Sequence, residues 1–498
     1  MTPRELKNSI LQLAIQGRLV EQRPEEGTAA ELYAQIQREK QALIKAGKLK
    51  NDRRTIGEEL PSPEDVPFDI PESWKWCYLG GILNKLTDGT HKTPKYSTSG
   101  VKFVSVKDMS SGVLSLESTK FITPEEHEEL FARCDPMRGD MLLSKVGTTG
   151  VPAIVDTDEP FSLFVSVALL KYNHSCIDES FLYFLLKSPL VQSQATENTR
   201  GVGNKNWVLD AIANTIVVLP PFDEQKRIVA RIEELLPLVD RYEQAWNRLE
   251  DLNKRFPGDL QKSLLQLAIQ GKLVEQRPEE GTGEDLYQQI QREKQALIKV
   301  GKLKKEKPFP EISEDEIPFD IPESWKLVRW GDLSESIQYG FNAPAQESGR
   351  IRMVRISDIQ DGGVQWNTVP YCEIDEKEIS TYLLKPNDIL FARTGGTVGK
   401  SYLVREVPEE AIYAGYLIRT RYSSLLCPEY MKHFMGSQLY WNQLRNGTIA
   451  TAQPNCNGKT LSKMILPLPP LTEQKRIVAK LEEVFPWIVK FNSEEGRH

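Results

Sequence analysis

LPPFDEQKRIVARIEELLP, residues 219–237, returns almost unchanged as LPPLTEQKRIVAKLEEVFP at residues 468–486. PFDIPESWK at 67–75 likewise recurs at 318–326, and residues 9–50 align without a gap with 263–304, where 35 of the 42 positions are identical. Three collinear repeats record an internal duplication, in which one structural unit is used twice. Between the copies, residues 74–218 and 325–466 match only in outline: FVSVKDM at 103 against MVRISDI at 353, and GDMLLSKVGTTG at 139 against NDILFARTGGTVG at 387. They read as one fold that carries two different surfaces on a common scaffold.

The scaffold segments have helical periodicity. Ile228, Ile232, Leu235, Val239, Tyr242, Trp246 and Leu249 follow alternating spacings of four and three, a heptad seam. Pro237 predicts a kink or break inside it, and Pro257-Gly258 a second interruption. Leu260, Leu264 and Leu267 resume the stripe as far as Gly271, and a further helix is expected over 284–300, ending at Gly301. Length favours a coiled coil, since about 30 helical residues span about 45 Å at about 1.5 Å each. Amphipathic helices packed on their own domains are the alternative. The two chain ends together rebuild the central block, which predicts a quasi-circular molecule with adjacent termini and two scaffold segments paired antiparallel.

Composition narrows the class. The 498 residues are 40% hydrophobic and 27% charged, ordinary for a globular protein with room for more than one core. Net charge is −7, so no global basic field announces nucleic acid. Cys77, Cys134, Cys176, Cys372, Cys427 and Cys456 are widely spaced without a CxxC pair, which suits reduced thiols in a cytoplasmic chain rather than disulfides or zinc. No apolar run reaches the roughly 20 residues of a membrane helix. The N-terminal ILQLAIQGRLVEQ is not read as a signal peptide, because it recurs internally.

Catalytic motifs come close and fail. GGTVGKS at 395–401 has three residues between its glycines where a phosphate-binding loop needs four. LPPF at 219 has leucine where an amino-methyltransferase needs a side chain that bonds the target amine, and Pro220-Pro221 and Pro469-Pro470 read instead as stiff joints. His91, His127, His174, His433 and His498 form no metal-spaced set. The chain is expected to do no chemistry alone and to hold no metal or cofactor.

Each divergent stretch has polar, basic, glycine-rich loops at matching places. In the first these supply Lys92, Lys95, Tyr96, Lys107, Lys145, Thr148, Thr149, Arg200, Asn204, Lys205 and Asn206. In the second they supply Arg350, Arg352, Arg355, Arg393, Thr394, Thr397, Lys400, Arg445, Asn455, Asn457 and Lys459. Arg, Lys and Asn pair with base edges, and Thr and Gly backbone amides suit phosphates, so these are the candidate DNA-binding residues. Residues 74–218 carry 14 basic and 16 acidic side chains and residues 325–466 carry 16 and 14. Positive groups must therefore cluster, or a partner must share the phosphate contacts.

The LPP-x-x-EQKRIV joints, the ILQLAIQGRLV helices, the IPESWK segments and the GD-x-L loops resemble the specificity subunits of type I restriction-modification systems. The resemblance covers essentially the whole chain. It implies an α+β fold, with two similar mixed α/β target recognition domains separated by two long antiparallel coiled-coil helical regions, pseudo-twofold and quasi-circular. The expected parts are an N-terminal scaffold (1–66), a first recognition domain (67–220), a central coiled-coil scaffold (221–307), a second recognition domain (308–469) and a C-terminal scaffold helix (470–498). It implies recognition of a bipartite asymmetric target in double-stranded DNA, two modification subunits using S-adenosylmethionine, and restriction subunits using ATP and Mg. It also places phosphate or base contacts at Lys145, Thr148, Thr149, Arg393, Thr394 and Thr397. The rival readings are a protein-interaction scaffold, which has no need of paired polar loops, and a stand-alone DNA-modifying enzyme, which lacks a cofactor motif.

Overall fold

The duplicated blocks fold first as capped helices. Thr2 opens the helix Pro3–Ile15, its hydroxyl accepting from the Glu5 amide while the Glu5 carboxylate accepts from the Thr2 amide. Thr28 and Glu31 repeat the device at Ala29–Lys45, and Thr282 caps the equivalent helix Gly283–Lys299. The computed structural model describes residues 1–57, 59–200, 205–305, 307–360, 362–447 and 456–494. The chain divides into two units, Met1–Leu249 and Glu250–His498, both α+β.

In the first unit the opening strand of the module, Lys75–Tyr78, pairs antiparallel with its last, Ile216–Leu219. The module thus closes on itself where it meets the scaffold. Inside lies a four-stranded antiparallel sheet in the order Leu83–Asp88, Val167–Tyr172, Met141–Ser144, Pro152–Ile154. Beside it a three-stranded sheet runs Lys120–Ile122, Val101–Val104, Phe161–Leu163. The central strands are buried on both faces, which explains their near-continuous apolar sequence. Met141, Leu143, Ala168 and Leu170 face the helical core with Leu182 and Leu185, whereas Leu142, Val167 and Leu169 join Val104, Phe161 and Leu163 in a second core.

The second unit repeats the plan. Lys326–Arg329 pairs with Ile465–Leu468, and the four-stranded sheet runs Ser334–Tyr339, Leu417–Tyr422, Ile389–Ala392, Ser401–Leu403. The smaller sheet runs Tyr371–Cys372, Ile351–Val354, Ala411–Tyr413, and a short hairpin of Ile359–Gln360 with Gly363–Val364 is added. The turn before the strand at 141 needs a left-handed residue, filled by Gly139 (φ 88°); before the strand at 389 the non-glycine with φ 72° is Asn387, one of the few residues that tolerate that conformation.

The repeated motifs are the clasp between module and scaffold. Glu224 accepts from Trp74 Nε1 at 2.9 Å and from Gln22 Nε2 at 2.5 Å, and Glu473 does the same with Trp325 at 2.9 Å and Gln276 at 2.6 Å. Gln225 and Gln474 donate to the carbonyls of Pro220 and Pro469, tying down the proline joints. Arg227 pairs with Glu26 at 2.6 Å and Arg476 with Glu280 at 2.7 Å. Gly17 (φ 66°) and Gly271 (φ 70°) let the scaffold turn touch the module, since a Cβ at either would meet a proline ring, Pro71 or Pro322, at 2.4 or 2.3 Å. Burial pushes the Glu224 and Glu473 carboxyls above their ordinary range against the lowering effect of their tryptophan donors.

The expected interruptions are absent. One helix of 48 residues, Phe222–Ile269, runs unbroken through Pro237 and Pro257-Gly258, and Leu471–Glu494 continues past Pro486. Each of the two prolines removes a backbone bond at about 3 kcal/mol, and the glycine weakens propensity by about 1 kcal/mol. Apolar contacts on either side offset this: Ile228, Ile232 and Val239 are buried against Ile10, Leu11, Ala14 and Ile15 of the same unit. The predicted stripe also shifts by one residue at the far end, where Leu265, Ala268 and Ile269 are buried while Leu267 is exposed. Tyr242 and Leu249 of the heptad seam are exposed, while Ile228, Ile232 and Val239 of the same seam are buried.

Candidate nucleic-acid interface

The candidate loops gather where strands of the four-stranded sheets end. In the first module Lys145 follows the strand Met141–Ser144, and its Nζ donates to Asp88 Oδ2 at 2.9 Å at the end of the neighbouring strand Leu83–Asp88. Both side chains are buried. Backbone bonds draw the other loop in: Trp207 N to Lys145 O at 2.8 Å and Gly147 N to Lys205 O at 2.9 Å. Arg200 and Asn206 exchange both backbone bonds, and Thr199 donates to Thr149 Oγ1 at 3.3 Å. Asp88 Oδ1 also accepts from Arg133 Nη2 at 2.9 Å, and His91 Nε2 lies 3.2 Å from Oδ2.

The second module assembles the matching place from different side chains. Arg393 occupies the position of Lys145, and its guanidinium lies 4.5 Å over the ring of Tyr339, which ends the strand Ser334–Tyr339. Cys456 N donates to Arg393 O at 2.9 Å, Gly458 N to the Tyr339 hydroxyl at 3.1 Å, and Arg393 N to Tyr416 O at 3.1 Å. Burial pushes the Cys456 thiol up to about 11. Each glycine that closes the loop is held from the helix behind it: Gly150 O accepts from Gln192 at 2.7 Å, Gly399 O from Tyr440 at 2.7 Å. A buried acid below the sheet end is also matched, Asp140 with Lys171 at 2.8 Å and Asp388 with Arg421 at 2.8 Å.

The predicted residues therefore separate into three groups. Thr148, Thr149, Arg200, Lys205 and Asn206 come together with Lys145 in the first module, and Lys92 sits on the cleft beside Asp88. Arg393, Thr394, Thr397, Lys400, Asn457 and Lys459 lie on the converging loops of the second, with Asn457 capping the helix Gly458–Lys463. A second group is committed elsewhere. Arg352 donates to Glu409 and to the carbonyls of Trp366 and Val369, and Arg355 grips Asp358 through two nitrogens at 3.1 and 2.7 Å. Arg350 pairs with Glu376 at 3.3 Å. These three belong to the smaller sheet rather than to the end of the larger one.

Lys95, Tyr96 and Lys107 are exposed near the smaller sheet of the first module, with Lys120 Nζ 3.8 Å over the Tyr96 ring. Arg445 is exposed at the end of the helix Gln438–Gly447 and donates to Asn442. Asn204 and Asn455 lie outside the described residues. Sequence reasoning missed Arg133 and Tyr416: the first is hidden behind the acidic helix Pro124–Phe131, and the second is a lone tyrosine whose partner, Arg393, is 23 positions away. Among the described residues no group of three or more His, Cys, Asp or Glu could hold a metal ion, and no helix is long and apolar enough to cross a membrane.

Comparison with known proteins gives this geometry a family. The sequence model of the type I restriction modification DNA specificity domain matches residues 71–250 and 322–494, together more than half of the chain. The EcoAI specificity subunit of a type I restriction enzyme from Escherichia coli is 26% identical over 97% of this chain and 88% of its own length. The EcoEI specificity subunit, also from Escherichia coli, is 25% identical over 97% and 89%. A solved HsdS subunit from Thermoanaerobacter tengcongensis is 19% identical, covers 86% of this chain and 93% of its own, and superposes with a TM-score of 0.46. Two matched domains, in the two places where the duplicated clasp holds a divergent module, mean that this chain belongs to the type I restriction-modification DNA specificity family.

Proposed function

We propose that the chain is the DNA-reading subunit of a type I restriction-modification assembly. Each module recognises one half of a bipartite, asymmetric target in double-stranded DNA, and modification and restriction subunits supply the chemistry. The carrying observation is the pair of sheet ends, built on one backbone plan but with different side chains, Asp88 and Lys145 in one module and Tyr339 and Arg393 in the other. Unlike surfaces on like frames suit two unlike half-sites, and loops carrying Arg, Lys, Asn and backbone amides supply both base-edge and phosphate donors. Methylation would use S-adenosylmethionine, and translocation and cleavage ATP and Mg, on two modification subunits and the restriction subunits. With a net charge of −7, phosphate neutralisation is shared with those partners.

Co-expression with the modification subunit and single-molecule methylation sequencing of host DNA tests this. A split motif methylated on both strands, and absent without this chain, is the expected result. A stable complex with no chain-dependent methylation would instead favour a protein-binding scaffold. The number of unspecified base pairs between the half-sites is proposed to follow the length of the helix Phe222–Ile269. Inserting seven residues near Trp246 should change that spacer and leave both half-sites as they were; altered half-sites with the old spacer would contradict the idea.

A further inference from the structure

We propose that Arg133 reads a base in the first module and that Asp88 is its positioning residue, an inference that rests on the DNA-reading function proposed above. Four observations carry it. The Asp88 side chain is only 3% exposed, and its two oxygens hold two different cations, Lys145 on Oδ2 and Arg133 on Oδ1, each at 2.9 Å. Lys145 is 5% exposed, so its charge is spent on the acid; drawing it out to a phosphate would break a buried ion pair and leave one oxygen of the carboxylate without its cation, which is disfavoured. Arg133 is the opposite case, with 58% of its side chain exposed and one end of its fork fixed. It stands at the mouth of a cleft of about 310 Å3 that is also lined by Thr90, His91, Lys92 and Glu129.

A guanidinium pinned at one end by a buried acid has given up its rotamer freedom before DNA arrives, and its outward donors keep a fixed plane. Two coplanar acceptors, the O6 and N7 of a guanine in the major groove, match that fork. A residue that only touches phosphate needs no such buttress. Lys92, exposed on the same cleft, is placed for the flanking backbone, while Glu129 across it disfavours a phosphate at the cleft itself. At the corresponding place in the second module Thr381 stands for Arg133 and the Tyr339 ring for Asp88; the arginine pinned by a buried acid there, Arg355 on Asp358, belongs to the smaller sheet instead. The reader is therefore specific to the first half-site.

The test is methylation sequencing with the full chain and its modification subunit, comparing wild type with Arg133→Ala, Arg133→Lys and Asp88→Asn. Arg133→Ala and Arg133→Lys are expected to relax one position of the first half-site, with discrimination for guanine there falling by about tenfold to a hundredfold. The second half-site and the spacer should not change, which certifies folding within the same molecule. Lysine keeps the charge but loses the fork, so Arg133→Lys separates base reading from simple attraction. Asp88→Asn should relax the same position although it touches no DNA. Two results would overturn the proposal: an unchanged motif at wild-type levels, or uniformly weaker methylation of an unchanged motif, which would make Arg133 a phosphate contact. Failure of the wild-type chain to direct any split-motif methylation would sink the DNA-reading function itself, a separate outcome.

Discussion

In the first module the cation after the inner strand of the larger sheet is Lys145, buried against Asp88; in the second it is Arg393, laid over the Tyr339 ring. The backbone around the two is the same, with the returning loop bonded to the carbonyl of that residue in both, Trp207 N to Lys145 O and Cys456 N to Arg393 O. What differs is what meets the charge: a buried carboxylate for Lys145, the face of a tyrosine ring for the half-buried Arg393. The first module closes its sheet end with an ion pair and hands the exposed role to Arg133. The second lays its arginine over the Tyr339 ring, with only a backbone bond to Tyr416. The frame thus conserves a cation and a loop closure while the partner of that cation is free to change, which is where a family of DNA readers can vary its target without refolding.

The largest effect should come from breaking that asymmetry at its buried end. Asp88→Ala leaves Lys145 buried and uncompensated, so the first module should lose about 3–5 kcal/mol. Tyr339→Ala removes a cation–π contact and the hydroxyl that accepts from Gly458 N, and the second module should lose only about 1–2 kcal/mol. Hydrogen exchange of the amides of Met141–Ser144 and Ile389–Ala392 reads each module separately. Equal losses would mean that the two cations are held in equivalent ways, and the contrast would be wrong. Replacing both Asp88 and Lys145 by Leu and Met should recover much of the stability, because the penalty lies in the unpaired charge.

The clasps provide the matching control, since there the two units share the carboxylate–indole, glutamine and arginine–glutamate bonds. Glu224→Ala orphans the Trp74 indole N–H, and Glu473→Ala orphans that of Trp325. Each should cost its own unit about 1–3 kcal/mol. Urea denaturation monitored by tryptophan fluorescence and by hydrogen exchange in each unit should give equal losses; a difference above about 1 kcal/mol would show that identical motifs sit in unlike surroundings.

Much of this was legible because duplication makes the sequence annotate itself. Repeated segments located the clasp, and the outline match of GDMLLSKVGTTG with NDILFARTGGTVG located the two sheet ends. The roles inside the clasp were not legible, because Glu224 and Trp74 are 150 positions apart and nothing local links a helix carboxylate to a distant indole. Lys145 looked like a phosphate ligand because a loop lysine beside glycines usually is exposed; Asp88, 57 positions earlier, reverses that. The partners of Arg352 and Arg355, Glu409 and Asp358, were hidden in the same way until the small sheet is formed. Pro237 misled differently: a local rule for helix breaking yielded to apolar burial on both flanks.

A further expected difference is one of pH, and it is larger in the second unit, although burial also lowers His127 in the first. His433 lies under the helix Leu471–Glu494, its ring 5.6 Å from Phe485, and burial with help from Lys432 pushes it down to about 4; Glu429 opposes and Arg405 assists. The unfolded chain takes up that proton near 6.5, so between the two values it binds more protons than the folded form. The contribution is fully present above 6.5 and is lost as pH falls towards 4. At the equivalent place in the first unit stands Phe184, which does not titrate and packs against that unit's apolar core. Acidification from pH 7 to pH 5 should therefore loosen the second unit more than the first, read as hydrogen exchange of Ile389–Ala392 against Met141–Ser144. His433→Phe, which installs the first unit's residue, should flatten the difference. If the second unit stays equally acid-sensitive in that variant, the asymmetry has another source and His433 is only a packing residue.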